Sequence, residues 1–168
     1  MNPCRCGMAG EPGQACARGP RCASDYQARV SGPFLDRIDL RVDVPAVTAA
    51  DLIRPGAAED SASVRARVVA ARALQAERHA ALGLPPDTAN AHLSPTQVES
   101  LARPDAAGQR LLAEAAEKAR FSARAYHRIL KVARTLADLE GGGAVRAAHL
   151  AEAIALRASA EGRLGQPA

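Results

Sequence analysis

Aromatic side chains are nearly missing from these 168 residues: there is no tryptophan, and phenylalanine and tyrosine occur twice each. Sandwiches and barrels fill their interiors with aromatic and β-branched residues, so this scarcity argues against both and favours helices packed through small side chains. Almost half the residues are apolar, enough for a core, but alanine carries much of that share. No apolar run is long enough to span a bilayer, which speaks against a membrane partner. The first residues, Met1-Asn-Pro-Cys4, lack the apolar stretch of a secretory signal, and a cytoplasmic protein is the default expectation. Catalytic signatures are also missing. The chain has no G-x-x-x-x-G-K-[ST] phosphate loop, no G-x-G-x-x-G, and no hydrophobic run ending in paired acidic residues that could hold Mg2+. Its four histidines are scattered, and no Ser/His/Asp set has a nucleophile context. These residues lack the parts to hydrolyse a substrate unaided.

What is present begins with charge. Lys and Arg together number 22 against 18 acidic residues, a net charge of +4, and lysine occurs only at Lys118 and Lys131. A mild arginine-borne excess is compatible with a nucleotide or nucleic-acid partner without establishing one. Four cysteines, Cys4, Cys6, Cys16 and Cys22, lie in a Gly/Pro-rich opening segment. In a reducing compartment such a group reads either as a tetrahedral zinc set or as free, redox-sensitive thiols.

Along the chain, residues 1–24 read as loop. A short helix is expected over Asp25 to Val30, then a Ser31-Gly-Pro33 turn, then one strand over Arg37 to Val44 with Ile38, Leu40, Val42 and Val44 on one face. A lone strand needs backbone partners, and no other segment reads clearly as one. Arg37 stands at the mouth of that strand, either paired with Asp36 or Asp39 or reaching outward to an anion.

From Ser61 onward the pattern is helical. Ser61 or Ser63 caps a helix to Leu82, Ser94-Pro95 opens a short one, and Asp105 caps another to Ala119. Ser122 opens a helix to Glu140 that is stopped by Gly141-Gly-Gly143, and a last helix runs from Val145 to Ser159. The Ser122 helix carries an apolar stripe, Ala125, Ile129, Val132, Leu136 and Leu139, beside a basic stripe, Arg120, Arg124, Arg128 and Lys131. Arg124 falls in its first turn, where the helix N-terminus adds a positive field.

The motifs accumulate in order. They are Asn2-Pro-Cys-Arg-Cys-Gly7, Tyr26, Arg29-Val-Ser-Gly-Pro-Phe-Leu-Asp-Arg-Ile-Asp-Leu40, Val64-Arg-Ala-Arg-Val68, Ala71-Arg-Ala-Leu-Gln75 and Asn90-Ala-His-Leu93. Phe121-Ser-Ala-Arg-Ala-Tyr-His-Arg-Ile-Leu-Lys-Val-Ala-Arg-Thr-Leu-Ala-Asp-Leu139 and His149-Leu-Ala-Glu-Ala153 complete the set. Together they resemble the C-terminal part of the ComM/YifB family of magnesium-chelatase-like AAA+ ATPases.

That resemblance implies a mainly α chain: the C-terminal remnant of a AAA+ α/β core (one strand, short helices and a Cys-rich loop), followed by a helical lid bundle. The implied divisions are 1–46 for the end of the core, 47–60 for a linker, 61–161 for the lid and 162–168 for a disordered tail. Family members are hexameric rings that bind ATP and Mg2+ at subunit interfaces, and the competence member is a DNA helicase that drives branch migration in natural transformation. By resemblance, Asn2 matches a sensor asparagine that polarises the attacking water. Arg37 matches an arginine finger for a neighbour's γ-phosphate, and Arg124 a lid arginine that meets the bound nucleotide. The lone strand would then be the last of a parallel sheet whose other members lie outside this sequence. The family's cysteines form two C-x-C pairs; here Arg18 stands at the fourth position and Cys22 is the substitute. Two other readings are a zinc-ordered helical adaptor binding DNA or protein through the basic face, and magnesium chelation, for which no residue suggests a porphyrin site.

Overall fold

The computed structural model describes residues 2, 4–7, 16, 18–19, 21–42, 44, 47, 49–53 and 59–158. They fall into two compact units, Met1–Arg54 with Ala158–Ala168, and Pro55–Arg157. The expected tail, 162–168, lies outside the described residues.

The first unit holds three short helices, α1 (Arg21–Gln27), α2 (Gly32–Leu35) and α3 (Ala49–Ile53). The helix expected over Asp25 to Val30 therefore starts four residues earlier, and α3 forms where the sequence reads as linker. The strand expected over Arg37 to Val44 does not form: the described residues of that segment belong to no ladder. Ile38 is half-buried, but Leu40, Val42 and Val44 are exposed, Val42 by 70% and Val44 by 86%. A strand without a neighbour leaves its N–H and C=O groups to water, so alternation alone does not create one.

The second unit is a helical bundle of α4 (Ser61–Ala80), α5 (Pro95–Leu101), α6 (Ala106–Ala119), α7 (Ala123–Leu139) and α8 (Ala147–Ala158), with a 3-10 turn at Asn90–His92. Polar caps set the helix starts. Ser94 and Gln97 form a reciprocal capping box, Asp105 accepts from the amide of Gly108, and Ser122 accepts from that of Ala125. The cap of α4 is Asp60, not Ser61 or Ser63: its carboxylate takes the Ser63 amide at 2.6 Å, which holds its pKa below the ordinary range. Three candidate caps in four residues cannot be separated by preference alone; Asp60 has the required extended backbone (φ −75°, ψ 157°).

Helix α7 is the centre of the bundle. Ala125 is buried, and Ile129, Leu130, Ala133 and Ala137 join Leu93, Val98, Ala102, Leu112, Val145, Leu150 and Ala153 in one core. The buried face is rotated from the stripe expected on sequence. Val132 and Leu136 only flank the core, and Leu139 is exposed. Alanines at 133 and 137 let neighbouring elements approach closely, which side-chain size alone does not signal.

Gly108 marks another close approach, between α6 and α8. A Cβ there would stand 2.8 Å from Leu150 Cδ1 and 3.0 Å from both Pro104 Cβ and Asp105 Oδ1. Alanine ordinarily strengthens a helix interior by about 1 kcal/mol over glycine. Here Gly108→Ala is expected to lower stability by about 1–3 kcal/mol through overpacking, read as an earlier urea midpoint.

Buried polar groups are concentrated where α4 meets α7. Asp138 is fully buried and receives Arg78 through both terminal nitrogens, Arg134 Nε at 3.1 Å and Asn90 Nδ2 at 2.9 Å. Arg134 also donates to the Gly143 carbonyl at 2.8 Å. Burial pushes the Arg134 pKa down, and the Asp138 charge works against that. Three of the four histidines are held as well: His79 is buried with Nδ1 bonded to the Thr88 carbonyl at 3.1 Å, and His127 pairs with Glu99. His149 accepts the Arg146 amide at Nδ1 (3.0 Å) and bonds Glu140 through Nε2, which, with Arg146 alongside, holds the Glu140 carboxyl below its usual range.

Candidate functional site

Local structure presents Arg37 through the α2 turn. Ser31 caps α2 by accepting the Phe34 amide, and Pro33 supplies a preset backbone angle in its first turn. At the other end Arg37 donates to the Pro33 carbonyl at 2.6 Å and Arg41 to the Leu35 carbonyl at 3.0 Å. Arg37 is thus exposed and tethered by one neutral acceptor, which leaves its full positive charge available. Asn2, the matched sensor position, is also exposed.

Arg124 occupies the first turn of α7, directly after the Ser122 cap, and is exposed. Among the described residues no hydrogen bond or ion pair holds its guanidinium. A cation is electrostatically misplaced there, because the helix N-terminus already carries roughly half a positive charge. Arg120 adds a second guanidinium just before it, at the left-handed C-cap of α6 (φ 47°, ψ 53°), a conformation that non-glycine residues adopt at a cost of about 1–2 kcal/mol. Two arginines around one helix N-terminus make a corner suited to an anion. The rest of the basic stripe behaves differently: Lys131 is half-buried and donates to the Ala91 carbonyl at 2.8 Å.

A groove of about 440 Å³ lies elsewhere in this unit, lined by Val64, Val68, Leu136 and Leu139 with Arg67, Glu140 and Glu152 at its polar edge. Leu136 follows Arg124 by twelve residues on α7, about 18 Å along the axis. The groove therefore does not belong to the arginine corner.

The four cysteines converge. Cys4, Cys6, Cys16 and Cys22 place their Sγ atoms all within 4.8 Å of one another, with Cys4–Cys6 and Cys6–Cys16 each at 3.2 Å. Cys22, and not the residue at 18, supplies the fourth sulfur. Two turns of one design shape the cluster. The Gly7 amide bonds the Cys4 carbonyl at 3.1 Å, and the Gly19 amide bonds the Cys16 carbonyl at 3.0 Å. Each glycine has a positive φ, 82° and 80°, which side-chain-bearing residues adopt with strain. This repeat is legible as a cysteine three residues before a glycine, yet cysteine spacing alone passes over it. The Cys16 thiol is pushed up to about 12, first by its hydrogen bond with Cys6, while the Arg18 amide acts in the opposite sense. A cation among them would reverse that balance.

Comparison with known proteins gives the family. The model for the C-terminal domain of magnesium chelatase subunit ChlI matches residues 58–157, and the model for magnesium chelatase subunit ChlI matches residues 1–52. The chain belongs to this magnesium-chelatase-like AAA+ family, and within it resembles the ComM/YifB group. It is 40% identical over 140 residues to competence protein ComM of Haemophilus influenzae, covering 83% of this chain and 26% of that protein. It is 36% identical over 136 residues to YifB of Escherichia coli, covering 79% and 25%. A Mycobacterium tuberculosis relative is 34% identical over 161 residues, covering 93% and 30%. The chain thus spans about a quarter to a third of these relatives. Among the described residues no helix is long and apolar enough to cross a membrane.

Proposed function

We propose that the chain acts as the lid and interface portion of an ATP-driven DNA motor of the ComM type, with Arg124 meeting the phosphates of a bound nucleotide. The observation that carries this reading is the exposed Arg124 beside the positive end of α7, an arrangement favourable only with an anion in front of it. In the same reading Arg37 reaches the γ-phosphate held by a neighbouring subunit of a hexameric ring, and Asn2 orients the attacking water. ATP and Mg2+ are held mainly by phosphate-loop and acidic residues that these 168 residues do not include. The exposed apolar side chains Leu40, Val42, Val44, Leu52 and Ile53 fit the same account, as the face that a larger α/β core covers. DNA is the partner on which the motor works, in the cytoplasm. The adaptor alternative is less well supported, because Lys131 directs its ammonium into the Ala91 carbonyl and interrupts the basic face.

The test uses a chimera in which this chain replaces the matching part of Haemophilus influenzae ComM. Arg124→Ala is expected to weaken nucleotide binding about tenfold or more, the loss of one charge-assisted contact, with the ring still assembled. Unchanged nucleotide affinity in an assembled Arg124→Ala chimera would refute the role.

A further inference from the structure

We propose that Cys4, Cys6, Cys16 and Cys22 bind one zinc ion as a closed tetrathiolate site, and that this ion, in place of an apolar core, holds together the unit that carries Arg37. The claim goes beyond the nucleotide reading and does not depend on it.

The donor set comes first. Zn–S bonds of about 2.3 Å arranged tetrahedrally put the sulfurs about 3.8 Å apart. The four sulfurs here are all within 4.8 Å of one another, a separation that closes around a single ion with small adjustments. Thiolates are soft donors that select zinc over Mg2+ or Ca2+. A multi-iron cluster is several ångströms across, and sulfurs this close leave no space for one.

The turns come second. Cys4–Gly7 and Cys16–Gly19 repeat one hydrogen-bonded geometry ending on a glycine of positive φ, and each aims its leading cysteine into the cluster. Cys22 closes the set from α1, its amide bonded to the Gly19 carbonyl at 3.2 Å. All four ligand positions are filled by protein, as in structural and not catalytic zinc sites.

The absence of another core comes third. Among the described residues of the first unit, the only buried apolar side chains are Cys4 and Cys22. Phe34, Leu40, Val42, Val44, Val47, Leu52 and Ile53 are exposed. Among the described residues of this unit Tyr26, Val30, Leu35 and Ile38 are only half-buried and the other large apolar side chains are exposed, which leaves a small hydrophobic term with which to offset chain entropy. Metal binding can supply that free energy, because the unfolded chain has no preformed site. On binding, four thiols release four protons to solvent and four Zn–S bonds form, leaving a core of charge −2. Arg5, Arg18 and Arg21, each within two residues of a ligand in sequence, offset that charge.

The full chain, purified without chelator, is expected to contain one zinc per chain by elemental analysis. Replacement by Co2+ should give the visible absorption of a tetrahedral thiolate complex. Stripping the metal should increase hydrogen exchange and protease cleavage across residues 21–42, with readdition of Zn2+ reversing it, and leave the melting of the bundle over 61–157 in place. Cys4→Ser and Cys22→Ser should each lower zinc affinity at least tenfold. A chain that neither carries zinc nor binds added Co2+ through sulfur overturns the site, as does iron in its place or disulfides among these cysteines. Zinc bound with no change in protection of 21–42 on stripping overturns its role as the clamp. Stripping and readdition use the natural sequence, so the result stands even if a serine variant fails to fold. None of these readouts involves ATP, and failure here leaves the Arg124 test untouched.

Discussion

Arg37→Ala in the ComM chimera is expected to lower kcat for ATP by about 10³-fold or more, the range by which arginine fingers accelerate phosphoryl transfer. That loss equals about 4 kcal/mol of transition-state stabilisation. KM is expected to change little, because a finger meets charge that develops as the γ-phosphoryl group leaves, not charge already present in the bound nucleotide. The geometry gives Arg37 the right freedom. It is exposed, the turn beneath it is capped by Ser31, and its tether is the uncharged Pro33 carbonyl. Lysine at this position keeps the charge but loses the planar fork, so Arg37→Lys should recover only a small part of the rate. Mixed rings add a check. Turnover should fall according to the fraction of variant subunits facing intact sites, which separates a finger acting across the interface from one acting within its own subunit.

Asp138→Ala is expected to cost the helical bundle about 3–5 kcal/mol, the usual penalty for removing one member of a buried ion network. The side chain is fully buried and neutralises Arg134, itself buried, while also binding Arg78 and Asn90. Its loss strands the Arg134 guanidinium in a site where burial already disfavours its charge. The network joins α4, the 3-10 turn at Asn90–His92 and α7, so three segments loosen together. For a unit of about 100 residues the expected fall in Tm exceeds about 10 °C, measurable by circular dichroism. Asp138→Asn should also destabilise, since it preserves shape but removes the counter-charge. The double replacement Asp138→Leu with Arg134→Met should recover part of the loss, because a buried pair exchanged for apolar groups is often tolerated. Equal stability of Asp138→Ala and the natural chain would remove the network from this account.

The contrast between these two residues shows what the sequence makes legible. Helix starts at Ser94, Asp105 and Ser122 follow from local chemistry, a side-chain oxygen placed before an apolar period, and each forms as that chemistry requires. The glycine stop after α7 is equally local, with the Gly142 amide bonding back to the Ala137 carbonyl at 2.8 Å. Nothing in the sequence singles out Asp138 and Arg134, which are four residues apart on α7. Only the packing of α4 against α7 buries them, and no periodicity reports which face a neighbour covers. For the same reason the apolar stripe of α7 is read from its larger residues and lands off the true seam, which runs through Ala133 and Ala137. The segment from Arg37 to Val44 has the alternation of a strand, but alternation specifies a face and not a partner, and no strand forms. The cysteines are intermediate. Their number suggests a metal and the resemblance already names Cys22 as the substitute for position 18, while the means, α1 turning its second residue back toward the loop, is visible only in the fold.

Steady-state ATP turnover, measured side by side for the purified chain and for the ComM chimera that contains it, tests the central claim most directly. The account predicts no turnover above background by the chain alone, turnover by the assembled chimera, and its loss when Arg37 and Arg124 are both replaced by alanine. Robust hydrolysis by the isolated chain, or an assembled chimera whose rate is the same without the two arginines, would contradict it.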